Sequence, residues 1–111
     1  MKNYATKWII QRLTAFILIP LTFWFIYQCI FLFEQNYFEV KVFFLSKFNS
    51  LFFFIFMMSM LYHSKLGCET IVEDYVIQGT IKKISKLLIS ILTYLCMILT
   101  AMSLFNLLFQ L

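Results

Sequence analysis

One residue that could carry chemistry in this chain is a histidine at the end of a long apolar run. His63 is the only histidine, and it directly follows the segment FFFIFMMSMLY. An ionisable side chain at membrane depth is costly and therefore indicates a function. A neutral imidazole can ligate a metal and is a common axial ligand of haem iron. The alternative is an interfacial histidine hydrogen-bonded to a neighbouring helix, and position alone does not choose between them.

The spacing of residues after His63 adds a second feature. If the helix continues, Gly67, Thr70 and Asp74 follow His63 at +4, +7 and +11 and share one of its faces. The glycine, one turn away, leaves space for a flat macrocycle. The face ends in Asp74 and Tyr75, and a phenol can donate a hydrogen bond to a carbonyl oxygen such as that of a quinone at the membrane surface. The alternative is a solvated loop with one interfacial tyrosine.

The third candidate is Arg12, the only arginine, which directly precedes the first uncharged segment. A guanidinium group matches a carboxylate with paired hydrogen bonds. A haem near His63 would turn its propionates toward this surface, where Arg12 would meet them. The alternative is a simple orientation charge beside a membrane span.

The elements that position these residues are apolar segments. Hydrophobic residues make up 63% of the 111-residue chain and charged residues 13%, whereas a soluble domain has about 25% charged residues. Such a short chain cannot hide that much apolar surface in one core. We predict a single all-α membrane domain over 1–111, with transmembrane helices at about 13–33, 42–66 and 87–110. The second helix is expected to extend beyond the bilayer core toward Asp74.

Basic residues predict the orientation of the three spans. Seven lie before the first span or between the second and third, and two, Lys41 and Lys47, lie on the other side. The positive-inside rule places the N-terminus inside and the C-terminus outside. Orienting the spans is sufficient to explain the net charge of +4. The sequence has no basic stripe with interleaved aromatics, so nucleic-acid binding is not indicated. The seven residues are Lys2, Lys7, Arg12, Lys65, Lys82, Lys83 and Lys86.

Two sequence blocks resemble a known family. The block HSKLGCETIVEDYV is similar to the signature H-x3-G-x6-DY of the D-type hydrophobic membrane anchor of succinate dehydrogenase. The segment QRLTA before the first span resembles that family's R-x-S/T-A segment. The number of spans, the predicted topology and the length also match this family.

The resemblance implies a part in succinate:ubiquinone oxidoreductase, respiratory complex II. The chain would be a non-catalytic anchor subunit, not an enzyme alone, working with a second anchor of the C type, an iron–sulfur subunit and a flavoprotein subunit. His63 would be the axial ligand of a haem b shared with the partner anchor. Tyr75 would hydrogen-bond the substrate ubiquinone, with Asp74 beside it, and Arg12 would approach the haem propionates.

Residue usage bears on the source, and two other functions stay open. The favoured residues, such as Phe, Ile, Lys and Asn, have A/T-rich codons, which indicates a mitochondrial inner-membrane protein encoded in the organelle or a bacterial inner-membrane protein. One alternative is a purely structural accessory subunit of another respiratory complex, in which His63, Asp74 and Tyr75 carry no chemistry. Another is a holin-like or transporter fragment that works as a homo-oligomer.

Overall fold

Helices account for nearly all of residues 4–109, the part of the chain that the computed structural model describes. In this part the elements are α1 (Tyr4–Leu32), α2 (Tyr37–Leu45), α3 (Lys47–Tyr75) and α4 (Gly79–Phe109). The helices α1, α3 and α4 are long and apolar enough to cross a membrane. With 29, 29 and 31 residues, each is about 43 Å or longer, against a hydrocarbon core of ~30 Å. The predicted all-α architecture with three spans is confirmed.

The helices extend further than the uncharged segments from which the spans were predicted. The non-helical connection between α3 and α4 is only residues 76–78, and not the whole polar stretch 68–86. As expected, α3 continues through Asp74. A helix can continue through charged residues where it leaves the hydrocarbon, because their side chains reach water there. Lys2 and the end of the third predicted span, residue 110, lie outside the described residues.

The helix that contains most of the predicted second span, about 42–66, begins at Lys47. The chain breaks at Ser46, whose backbone is extended with φ −67° and ψ 125°. Residues before the break form the separate short helix α2. Asn36 caps the start of α2, because its side-chain oxygen accepts a hydrogen bond of 3.0 Å from the Glu39 backbone N–H.

Two polar side chains hold the corner between α2 and α3. The Asn49 side-chain amide donates to the Phe43 carbonyl oxygen at 3.1 Å, and the Ser50 hydroxyl donates to the Phe44 carbonyl oxygen. The last carbonyls of a helix have no partner within it. These side chains therefore supply the partners that make a helix end possible inside an apolar run.

The helix α3 is the centre of the bundle, since α1, α2 and α4 all pack against it. Few residues are buried within the chain, and Thr14 is the only one in α1. Most large apolar side chains are exposed, so lipid or other subunits must cover them. Within residues 4–109 the buried residues are Thr14, Ser50, Phe56, Lys65, Leu66, Thr93 and Leu104.

Candidate functional site

Ion pairs on Glu73 join three helices at one end of the bundle, which we call the polar end. The Glu73 carboxylate lies 2.6 Å from the Lys86 ammonium on α4 and 3.5 Å from the Lys7 ammonium on α1. The Lys82 ammonium also donates to the Glu73 backbone oxygen at 3.3 Å. The start of α1, the end of α3 and the start of α4 therefore lie together.

A second ion pair lies inside the bundle. The Lys65 ammonium is 2.5 Å from the Glu69 carboxylate, and their side chains are only 8% and 13% exposed. The ammonium also lies 5.6 Å and 5.8 Å from the ring centroids of Tyr62 and Tyr94. Lys65 is therefore not the orientation charge in a connection between spans that the sequence predicts, because it lies within α3 and is paired there. The i,i+4 spacing of a lysine and a glutamate was the signal that could have shown the pair.

His63 faces α1 and is bonded to the one buried residue of that helix. Its Nδ1 lies 3.0 Å from the Thr14 hydroxyl oxygen. In residues 4–109, Thr14 is the only hydrogen-bond partner of the His63 ring, which leaves Nε2 without one there. The sequence gives no sign of this contact except the place of Thr14 in the segment QRLTA.

Gly67 also faces α1, one turn after His63. A β-carbon at Gly67 would lie 3.8 Å from the side-chain nitrogen of Gln11. That is an ordinary van der Waals distance, so packing against α1 does not by itself require a glycine.

Asp74 and Tyr75 are both exposed near the polar end, but they lie on different faces of α3. Asp74 is in line with His63 and about 17 Å further along the helix axis. Tyr75 projects about 100° away from Asp74, because successive residues turn by that angle. The expectation that one face ends in both residues is therefore wrong for Tyr75.

Tyr75 lies instead on a side of α3 that no helix of this chain covers in residues 4–109. Its side chain is 79% exposed. Four exposed residues at helical spacing form this open face: Ser64, Cys68, Ile71 and Tyr75.

Arg12 points away from the His63 contact. Its guanidinium carbon lies 5.3 Å from the ring centroid of Trp8, one turn earlier on α1. Thr14 follows two residues later and therefore projects about 200° from Arg12 around the helix. Arg12 is exposed and available to a group outside this chain.

The donor set fits a haem better than a metal bound by this protein alone. Among the described residues, no group of three His, Cys, Asp or Glu side chains could hold a metal ion. A haem supplies most of the ligands of its iron itself, so a single histidine of this chain would be enough to hold one. One ring nitrogen of His63 is hydrogen-bonded, and the other has no hydrogen-bond partner among residues 4–109. This arrangement is typical of a metal-bound histidine. A second histidine would have to come from another chain.

Comparison with known proteins identifies the family. Residues 2–106 match the family described as succinate dehydrogenase/fumarate reductase transmembrane subunit, and the chain belongs to this family. It is 33% identical over 78 residues to the succinate dehydrogenase hydrophobic membrane anchor subunits of Rickettsia typhi and Rickettsia prowazekii. The alignment covers 68% of this chain and 60% of each relative, so the chain spans less than two thirds of their length. The predicted resemblance is confirmed, and a holin-like or transporter function is set aside.

Proposed function

We propose that this chain is a membrane anchor subunit of a succinate:ubiquinone oxidoreductase. It would contribute one haem ligand and part of a quinone site, and so pass electrons from an iron–sulfur subunit to quinone. The observation that carries the proposal is the orientation of His63. Its Nδ1 is hydrogen-bonded to the buried Thr14, and its Nε2 has no hydrogen-bond partner among residues 4–109. The partners would be a second anchor, the iron–sulfur subunit and a flavoprotein subunit.

His63 would hold the haem iron through Nε2, and a histidine of the second anchor would hold the other side. The bound haem would supply a one-electron carrier within the membrane. The exposed Arg12 guanidinium would pair with the propionates by charge-assisted hydrogen bonds. Arg12 lies on a different face of α1 from Thr14 and is exposed, so it would meet such a group outside the contact between α1 and α3.

The Tyr75 hydroxyl would donate a hydrogen bond to a quinone carbonyl oxygen. Such an oxygen gains negative charge as the quinone is reduced, so a donor aimed at it stabilises the reduced forms. A phenol does this without placing a full charge in a partly apolar pocket. Asp74 would lie at the edge of the site. Since Tyr75 is on the open face of α3, the rest of the pocket would come from a partner chain.

We further propose that the polar end faces the cytoplasm of a bacterium or the matrix of a mitochondrion, with the chain in the respective inner membrane. Lys7, Lys82 and Lys86 gather there around Glu73, as the positive-inside rule requires. Electrons would arrive from a soluble iron–sulfur partner on that side. Reporter fusions should place the N-terminus inside and the C-terminus outside, and two termini on the same side would contradict this topology.

The variant His63→Ala tests the haem assignment in the purified complex. We expect the b-type absorption spectrum to change strongly or disappear, because one axial ligand is lost, while the complex still assembles at least in part. Ser64→Ala, on the neighbouring exposed residue, is the matched control and should keep the wild-type spectrum. A wild-type spectrum in His63→Ala would refute the ligand role. Failure of a flavin-containing subunit to co-purify with the wild-type chain would refute membership of the complex.

A further inference from the structure

The hydrogen bond between His63 and Thr14 determines more than the position of a ring. We propose that Thr14 is a positioning residue that keeps the proton of His63 on Nδ1 and leaves the lone pair on Nε2. The inference rests on the proposed haem ligation, because only the nitrogen with the lone pair can bind iron. Thr14, the one buried residue of α1, would thus set the tautomer of His63.

The Thr14 hydroxyl has a single proton to donate. The Thr14 oxygen lies 2.9 Å from the Ile10 carbonyl oxygen and 3.0 Å from that of Gln11. Carbonyl oxygens only accept hydrogen bonds, so the hydroxyl must be the donor in either contact. A threonine within a helix commonly donates in this way to the preceding turn.

Once that proton is used, the hydroxyl can only accept from the histidine. The Nδ1 atom lies 3.0 Å from the same oxygen, so it must carry a proton for a hydrogen bond to form. In the neutral ring the other nitrogen then has the lone pair. The reverse arrangement, with the hydroxyl donating to Nδ1, gives up both carbonyl contacts.

The surroundings favour keeping this arrangement. Thr14 is 9% exposed, so water does not readily replace the lost partner, and an unsatisfied buried polar group is costly. The bond joins residues on two different helices, and it thereby orients the imidazole relative to α1 with Nε2 turned away from Thr14. Partners of this kind set the tautomer, orientation and basicity of metal-bound histidines.

The tautomer can be measured directly, because His63 is the only histidine in the chain. The full chain labelled with 15N-histidine in detergent micelles would give ring-nitrogen NMR signals from this residue alone. At a pH where the ring is neutral, we expect a protonated Nδ1 and an unprotonated Nε2. Thr14→Val keeps the side-chain shape without the hydroxyl, and the ratio of the two tautomers should shift toward Nε2–H by roughly two- to tenfold, the effect of losing one neutral hydrogen bond.

The matched control is Thr14→Ser, which keeps the hydroxyl and should keep the wild-type tautomer. In the purified complex, Thr14→Val should retain a b-type spectrum, since His63 is still present, but with a raised haem midpoint potential, because the ligand is less basic. Thr14→Ser should have nearly the wild-type potential. A purely structural role for Thr14 would not produce this rescue by serine.

The outcomes separate this inference from the proposed function. A protonated Nε2 in the wild-type chain, or the same tautomer ratio in wild type and Thr14→Val, would overturn the role of Thr14. The wild-type measurement decides even if Thr14→Val does not fold. An unchanged spectrum in His63→Ala would instead overturn haem ligation, whatever the tautomer.

Discussion

The two halves of α3 pack against the rest of the bundle by different interactions. The first half uses aromatic rings: Phe56 stacks on Phe25 of α1 with ring centroids 4.6 Å apart, and Phe53 meets Phe44 of α2 edge-on at 5.0 Å. The second half uses hydrogen bonds and charges. Its contacts with other helices are His63 with Thr14, the Lys65 ammonium with the Tyr94 ring of α4, and Glu73 with Lys7 and Lys86.

This difference shows which half of α3 fixes the arrangement of the neighbouring helices. A ring pair gives about 0.5–1.5 kcal/mol over a range of angles, and lipid tails offer phenylalanine nearly as good an apolar environment. A hydrogen bond between helices has one productive geometry, and a buried charge tolerates no missing partner. The aromatic half therefore fills space, whereas the polar half determines how α1 and α4 are rotated against α3. The candidate haem ligand lies in the half that determines rotation.

The largest effect on stability is expected from removing a buried charge in the second, polar half of α3. Lys65→Met leaves the Glu69 carboxylate without its partner in a nearly dry site, and we expect a loss of about 3–5 kcal/mol in the free energy of unfolding. The double variant Lys65→Met/Glu69→Leu should recover most of this loss, because replacing both members of a buried pair is often neutral. The measurement is a denaturation curve in detergent. A single variant as stable as the wild type would remove the claimed asymmetry between the halves.

A smaller effect is expected from Tyr75→Phe, which concerns function at the polar end and not packing. The ring remains and only the donor is lost, which typically costs ~0.5–1.5 kcal/mol, a roughly two- to tenfold loss of quinone reduction. Succinate oxidation with a soluble artificial acceptor should be nearly unchanged. Tyr4→Phe, at another exposed tyrosine near the polar end, is the control for loss of a hydroxyl. The quinone role is wrong if Tyr75→Phe reduces quinone at the wild-type rate or impairs both activities equally.

The smallest effect belongs to the aromatic half. Phe56 is only 6% exposed, yet Phe56→Leu should cost no more than about 1 kcal/mol, because one ring pair is exchanged for aliphatic packing. The b-type spectrum that the proposed haem would give should be the same in Phe56→Leu and in the wild type. Phe48→Leu, at a position 74% exposed, provides the lipid-facing control and should have no measurable effect on stability. A larger loss in Phe56→Leu than in Lys65→Met would show that rings, and not charges, define the bundle.

Much of the architecture could be predicted because hydropathy reports the solvent that each segment prefers. Uncharged runs are sufficient to indicate three spans, and the +4, +7 and +11 spacing after His63 indicates a helix that continues to Asp74. Similar reasoning failed at Ser46. Apolar residues precede it in α2 and follow it again from Leu51, so hydropathy over the whole stretch does not mark the break, which depends on Asn49 and Ser50 reaching back to carbonyl groups.

The amino-acid sequence alone thus determined that lipid surrounds most of the chain, that there are three spans and that most basic residues lie together. It also singled out His63 as the candidate ligand. Tertiary structure alone decided that Thr14 meets His63 across 49 residues of chain, that the Lys65 side chain is buried in the bundle, and that Tyr75 is on the open face. The physical reason is that a helix with apolar residues on nearly every face has no pattern that marks its inward side. Its rotation depends on which few polar groups find partners on another helix, and those partners are defined only when the helices pack.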